Sequence, residues 1–398
     1  MAGETDRTDD APRIVSDVVC GFCGLCCDDL TVEVSGQAVR PRGVCPDAAG
    51  LLTRDGSAPP SPRVDGEAVS LEAAAAAAAA HLSASRSAAF TGLGADLQGL
   101  RRLFDIAMVA GASFDHAASA GLFANLERLS RRGWIAATLA EVRNRCDLLV
   151  VFGPDPTGAF PRLFERLMPP TSPAAHADTP PLFVDRAVKR RVAVVGGPLS
   201  EAARKALASH EVTELPLPAD KIGNAAAALS AFIAGRNVDG IANVCADETG
   251  AALAELADLL KAARYAVFTW SAGALPGDEA ALVAEAAAQA VDLLSPTTRA
   301  AVFPLGGTDN LTGAHQLALW RFGYPLRTAV GAGTARHQPE LYATPAALAD
   351  ADLMLHASAF RPAPPPTFEN GPVIALAHPD TEFAREPDVF IPVGTPGI

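Results

Sequence analysis

The stretch CDLLVVFGPDPTGAFPRLFERLM, residues 146 to 168, decides how the rest of the chain is read. Leu148 to Phe152 are continuously apolar and are closed by Gly153. A Pro-Asp-Pro turn and a helical stretch from Ala159 follow. An unbroken apolar strand that ends in glycine and leads into a helix belongs to a parallel sheet covered on both faces. The same unit recurs. AAFTGLG (88–94) precedes LQGLRRLFDIAMVAG (97–111), and further strands are expected at PPLFVD (180–185), RVAVVGG (191–197), YAVFTWSAGAL (265–275), AVFPLGG (301–307), DLMLHASAF (352–360), GPVIALAH (371–378) and DVFIPVG (388–394). The fold class is therefore α/β with several parallel-sheet layers, whose strand ends are where such folds bind ligands.

The first 60 residues differ from this body. They hold five of the seven cysteines, and LTVEVSGQAVR (30–40) alternates about Ser35-Gly36 in the manner of a hairpin. The Pro-rich segment 56–66 reads as a linker. The expected organisation is a Cys-rich β module over 1–60 and an α/β body over 61–398, built from two or three interleaved Rossmann-like subdomains. Ser70 is the expected N-cap of an Ala-rich helix packed closely against a sheet.

Composition narrows the function. The chain has 398 residues, 49% of them hydrophobic and 19% charged, so a large core is available. Its net charge of −13 disfavours nucleic acid, which needs clustered Lys and Arg. The acidic N-terminal residues lack the pattern of a signal peptide, and no apolar run of about 20 residues occurs. A soluble, cytoplasmic protein without membrane segments is expected, and clustered cysteines in that setting bind metal more often than they form disulfides.

Those cysteines lie in CGFCGLCCDDL (20–30) and in GVCPD (43–47). Cys20, Cys23 and Cys27 give C-x2-C-x3-C, and Cys45 is the remote fourth. Four thiolates are what a [4Fe–4S] cluster requires, whereas zinc ribbons usually pair two C-x2-C knuckles. Cluster, zinc and vestigial thiols all remain open. Cys26 is the odd one out, because adjacent side chains diverge. Cys146 and Cys245 read as core thiols, and His116 as a hydrogen-bonded structural histidine.

Three stretches carry a resemblance: the cysteine loop with VCPDA, then TLAEVRNRCDLLVVFGPDPTGAFPRLFER (138–166), then GGTDNLTGAHQLALWRFGYPLR (306–327). Together they resemble the B subunit of formylmethanofuran dehydrogenase, a molybdopterin-oxidoreductase-type chain related to formate dehydrogenases. The resemblance runs from Cys20 to about residue 394. It implies the layered fold of formate dehydrogenases and, in redox-active members, tungsten or molybdenum on pterin dinucleotides. There a Cys or selenocysteine followed by His ligates the metal, and an N-terminal cluster relays electrons.

This chain departs from that pattern where the metal should sit. In GASFDHAASAGLFANLERLSRRGWIAATLAEVRNR (111–145) no cysteine occurs, and Gly121 stands at, or within a residue or two of, the ligand position. Asp155 replaces an Asn usual in its loop. A soft metal is not held in the ordinary way without its thiolate. No Mo/W pterin is therefore expected. The resemblance then points to the non-redox B subunits of bacterial formyltransferase/hydrolase complexes. Their partners are zinc amidohydrolase-like (A), C and formyltransferase-like (D) subunits, and together they convert formyl-tetrahydromethanopterin to formate through a methanofuran-like carrier. Two rivals are an active Mo/W formylmethanofuran or formate dehydrogenase chain with a [4Fe–4S] cluster, and a nucleotide- or thiamine-type enzyme suggested by VVGG and PLGGTDN. No complete G-x-G-x-x-G, Walker, G-x-S-x-G or H-E-x-x-H motif supports the latter.

Overall fold

A computed structural model describes residues 12–170, 182–184, 189–236 and 247–396. Cys245 lies outside the described residues. The chain is mixed α/β and divides into two compact units, one comprising 1–119 with 307–398 and the other 120–306.

The first unit opens with a four-stranded antiparallel sheet in the order β1 (Arg13–Val18), β2 (Leu30–Ser35), β3 (Ala38–Arg42), β4 (Arg54–Asp55), with helix α1 (Pro46–Leu52) between the last two. The expected hairpin forms, with Ser35 opposite Ala38 and Gly36 at φ 57° in its turn. The segment read as a linker ends differently from expectation. Its last residues form β5 (Arg63–Val64), which turns at Asp65-Gly66 into β6 (Glu67–Ala68) and closes one edge of a larger sheet.

Helix α2 (Leu71–Ala84) is capped by Ser70, whose hydroxyl accepts the Ala73 N–H at 3.2 Å. It lies against the sheet at β5 as expected, with Ala74 its one buried residue. Uniform alanine provides no apolar stripe to bury, so the helix rests on the sheet with most of its surface in water. Next come β7 (Ala88–Gly94), α3 (Leu97–Ala110) and β8 (Ser113–Phe114). Asp96 caps α3 through the Gly99 N–H at 2.7 Å, and Gly111 ends it at φ 70°.

After α4 (Ser119–Arg132), the second unit continues through α5 (Leu139–Arg145), β9 (Leu148–Gly153), α6 (Leu163–Leu167), β10 (Arg191–Gly196), α7 (Glu201–Ala206), β11 (Glu211–Pro216), α8 (Ile222–Ile233), α9 (Asp247–Ala262), β12 (Tyr265–Trp270), α10 (Glu279–Leu294) and β13 (Arg299–Val302). Its five strands are parallel in the order β11-β10-β9-β12-β13. That is a doubly wound sheet whose order reverses between β9 and β12. Its core is the aliphatic and aromatic faces of these strands against α8, α9 and α10. The strand expected at 180–185 is absent from its described part, since Leu182–Val184 form a bend. Three apolar residues are too few to distinguish a strand from a packed loop.

The chain then returns to the first unit with α11 (Leu311–Phe322), β14 (Thr328–Gly331), β15 (Thr334–His337), α12 (Thr344–Asp350), β16 (Leu353–Ser358), β17 (Val373–Ala377) and β18 (Val389–Pro392). The nine-stranded sheet runs β15-β14-β8-β7-β16-β17-β18-β5-β6. Its middle five strands are parallel, and its four outer strands are antiparallel additions. Its order reverses between β7 and β16.

Candidate functional site

In the first unit the crevice beyond the carboxyl ends of β7 and β16 is the place where a doubly wound sheet would take a ligand. Here the loop before α11 reaches the end of β7, where a Cβ on Gly94 would lie 3.6 Å from the Asp309 Cβ. The loop before α11 holds Asp309 and Asn310 in consecutive left-handed conformations, φ 52° and 62°. Asp and Asn tolerate this conformation better than other non-glycine residues, but two in succession persist only where their surroundings fix them. The fixing contacts are visible. The Asp309 carboxylate takes Arg361 Nε at 2.8 and 2.9 Å, the Asn310 amide donates to the Ala95 carbonyl at 2.9 Å, and the Asp309 N–H donates to the Phe22 carbonyl at 3.0 Å. Burial pushes the Asp309 carboxyl up, and Arg361 opposes that rise.

His116 completes the arrangement. It is buried, and burial pushes its pKa down to about 4, so the ring is neutral at pH 7. Nδ1 lies 3.0 Å from the Ala118 N–H and Nε2 lies 3.1 Å from the Asp309 carbonyl. These partners assign the proton to Nε2. The ring is a structural cross-link, as its isolation in the sequence implied.

The cysteine loop packs onto the same place. Phe22 is buried edge-on against Phe360, with ring centroids 6.3 Å apart, and its carbonyl also accepts from Arg361 at 3.4 Å. The Cys20 N–H closes the loop on the Cys27 carbonyl at 2.8 Å. Cys20, Cys23 and Cys27 are buried, whereas Cys26 adopts φ 48° and is exposed. Cys45 is half-buried and caps α1, its sulfur 3.4 Å from the Ala48 N–H. Burial pushes the Cys20 and Cys23 thiols up, and the charge of Cys45 adds to that rise. Donor type and number suit zinc or an iron–sulfur cluster. Among the described residues, however, no group of three or more His, Cys, Asp or Glu side chains is arranged to hold a metal ion.

In the second unit Gly121 lies on α4 against the turn at Ala272–Ala274, just past β12. A Cβ placed on Gly121 would stand 2.6 Å from the Gly273 nitrogen and 3.1 Å from its Cα. Backbone therefore occupies the space that any side chain at 121 would need. Asp155, after β9, is also committed internally. Its carboxylate accepts the Thr157 N–H at 2.9 Å and the Ser200 N–H at 2.7 Å. Burial raises its pKa, but these hydrogen bonds outweigh that effect and hold it below the ordinary carboxylate value. Gly153 and Gly196 pair across β9 and β10 so closely that a Cβ on Gly196 would meet the Gly153 oxygen at 2.3 Å. Cys146 is fully buried, and burial pushes its thiol up to about 12. The packing of residue 121 against 272–273 had no signal in the sequence beyond the missing thiol.

No family model matches the chain. The B subunit of the formyltransferase/hydrolase complex Fhc from Methylorubrum extorquens is 28% identical over 344 residues, covering 84% of this chain and 85% of that relative. The B subunit of the tungsten-containing formylmethanofuran dehydrogenase 2 of Methanocaldococcus jannaschii is 26% identical over 341 residues, covering 82% of this chain and 74% of the relative. Among solved structures, a chain of the FhcABCD formyltransferase/hydrolase complex of Methylorubrum extorquens, crystallised with methylofuran, superposes with a TM-score of 0.68. It is 27% identical and covers 84% of this chain and 87% of its own.

Proposed function

We propose that this chain, a homologue of these B subunits, is the structural B subunit of a cytoplasmic formyltransferase/hydrolase complex of one-carbon metabolism. In such a complex a formyltransferase-like subunit passes a formyl group from tetrahydromethanopterin to a methanofuran-like carrier, and a zinc amidohydrolase-like subunit releases formate. The chain keeps the layered fold of formate dehydrogenases as a scaffold for its companions. Gly121 carries this reading. At or beside the ligand position of the redox enzymes it has no thiolate, and its contact with the 272–273 backbone leaves no room for one. The charge of Asp155 agrees, since it would repel a pterin diphosphate. Among the described residues no helix is long and apolar enough to cross a membrane.

The cysteine loop belongs to the scaffold in this reading. Zinc or a [4Fe–4S] cluster on Cys20, Cys23, Cys27 and Cys45 would pin the N-terminal sheet, a folding role that structural metals commonly play. With no redox centre to serve, it carries no electrons. The test is to purify the chain with its co-expressed companions and measure metals. A stable assembly with molybdenum and tungsten below stoichiometry is expected. About one Mo or W per chain would overturn the reading in favour of an active dehydrogenase.

A further inference from the structure

The face formed by α3 and α11 presents large apolar side chains that nothing within the first unit covers. Trp320 is 74% exposed and Val109 91%, with Met108 and Tyr324 each more than two-fifths exposed. These residues are held on a rigid base. Arg321 bridges the two helices, donating to the Arg101 carbonyl at 3.0 Å, to Asp105 at 2.7 Å and towards the Met108 sulfur at 3.5 Å. The next residue, Phe322, is anchored between Phe104 and Phe114 at 5.5 Å from each. Tyr324 stacks on His337 at 5.7 Å. Trp320 therefore stands in water next to two pinned residues, on a helix that needs no reordering of its backbone to bind. Trp, Tyr, Met and Arg on one face are the residues enriched at interface centres.

We infer that this face docks a companion subunit through an apolar recess for the Trp320 indole, rimmed by carboxylates. Charge selects that occupant. Arg101, Arg102 and Arg321 stand against Asp105, whose carboxylate Arg321 and Arg102 already share, on a chain whose net charge is −13. A two-fold pairing of this face with a second copy would set the same arginines against each other. An acidic rim on a different protein complements them. The inference deepens the proposed function and rests on it.

The experiment compares the wild-type chain with Trp320→Glu and with the Arg101→Glu/Arg102→Glu pair. Each is co-expressed with the formyltransferase-like and amidohydrolase-like companions and followed by native mass spectrometry and titration. Trp320→Glu is expected to weaken assembly by about 30-fold or more, the scale of an interface hot spot. The arginine pair is expected to slow association and reduce its salt dependence. Both variants should melt with the wild-type isolated chain, since none of the three side chains is buried. Capture of companions by wild type and Trp320→Glu alike would overturn this inference alone. Capture of none by wild type would overturn the functional reading as well. A wild-type homodimer dissolved by Trp320→Glu, or Trp320-dependent binding to phosphatidylserine vesicles, would reassign the face and overturn the inference.

Discussion

Arg190 donates its Nε–H to the Cys146 carbonyl at 2.8 Å, and its remaining donors reach the carbonyls of Val142, Leu167 and Pro169 at 3.0 to 3.3 Å. One fully buried guanidinium thus serves the open carboxyl ends of α5 and α6. Helix ends leave such carbonyls unpaired, and a cation there also complements the helix dipole. Arg190→Met should deprive the Cys146, Leu167 and Pro169 carbonyls of this donor, while Val142 keeps the Cys146 N–H, and cost about 3 kcal/mol or more. Arg190→Lys should recover only part of this, because an ammonium lacks the planar fork. Urea unfolding of the two variants checks the order.

Gly121 makes the second prediction. Gly121→Ala and Gly121→Cys should each destabilise the second unit by about 1–3 kcal/mol, because the added atoms must displace backbone rather than a flexible side chain. Gly121→Cys should also fail to acquire molybdenum or tungsten when expressed with the cofactor supplied. Thermal melts and elemental analysis read the two halves separately, and a stable, metal-loaded Gly121→Cys would contradict both.

The neutral histidine inside the first unit sets a pH dependence. His116 titrates near 4 when folded, against about 6.5 unfolded. Between those values the unfolded chain binds the extra proton, so stability is full above about 6.5 and falls as pH drops towards 4. Its share is on the order of 3 kcal/mol. Asp309 and Asp115, both raised by burial, act in the opposite sense just above their unfolded value and blunt the acid end. His116→Gln cannot titrate and should remove its own share of the slope between pH 5 and 6.5, leaving the shares of His356 and His210, which burial also pushes down to about 4. Denaturant unfolding at a series of pH values measures it.

Cys27→Ser tests the cysteine loop as scaffold. The loop is tied through its Phe22 carbonyl to Asp309 and Arg361, and in the proposed reading formyl chemistry belongs to the companion subunits. Amide exchange over residues 13–55 should accelerate, while formyl transfer and hydrolysis by the assembled complex stay at wild-type rates. Loss of turnover with assembly intact would assign the loop a catalytic duty it lacks here.

The parallel strands were legible in the sequence because burial on both faces demands continuous apolar runs. LLVVFG, RVAVVG and LMLHAS permit few other readings. The sheet edges were not legible, since β5, β6 and β15 are short, β1 is largely exposed, and all four owe their existence to a neighbouring strand. The same contrast holds for the site. Cysteine spacing and the absent thiol near Gly121 can be read along the chain. The Asp309–Arg361 pair and the contact of Gly121 with Gly273 join residues far apart in sequence, and only the folded chain brings them together.

The β14–β15 hairpin shows how one turn residue hid an element, and it supplies the last prediction. Its two-residue turn is Ala332-Gly333, at φ 50° and 76°, with Gly331 opposite Thr334. Positive φ at both central residues is the type I′ geometry that twisted hairpins prefer, and Asn-Gly or Gly-Gly normally announces it. Alanine gives no such signal and pays about 1 kcal/mol or more for the left-handed conformation. Ala332→Asn, which tolerates that conformation, should therefore raise stability by up to about 1 kcal/mol without touching the candidate site or the α3–α11 face. Ala332→Val, branched at Cβ, should lower it. A shift in unfolding midpoint of the opposite order for the two variants would show that the turn is not held in this geometry.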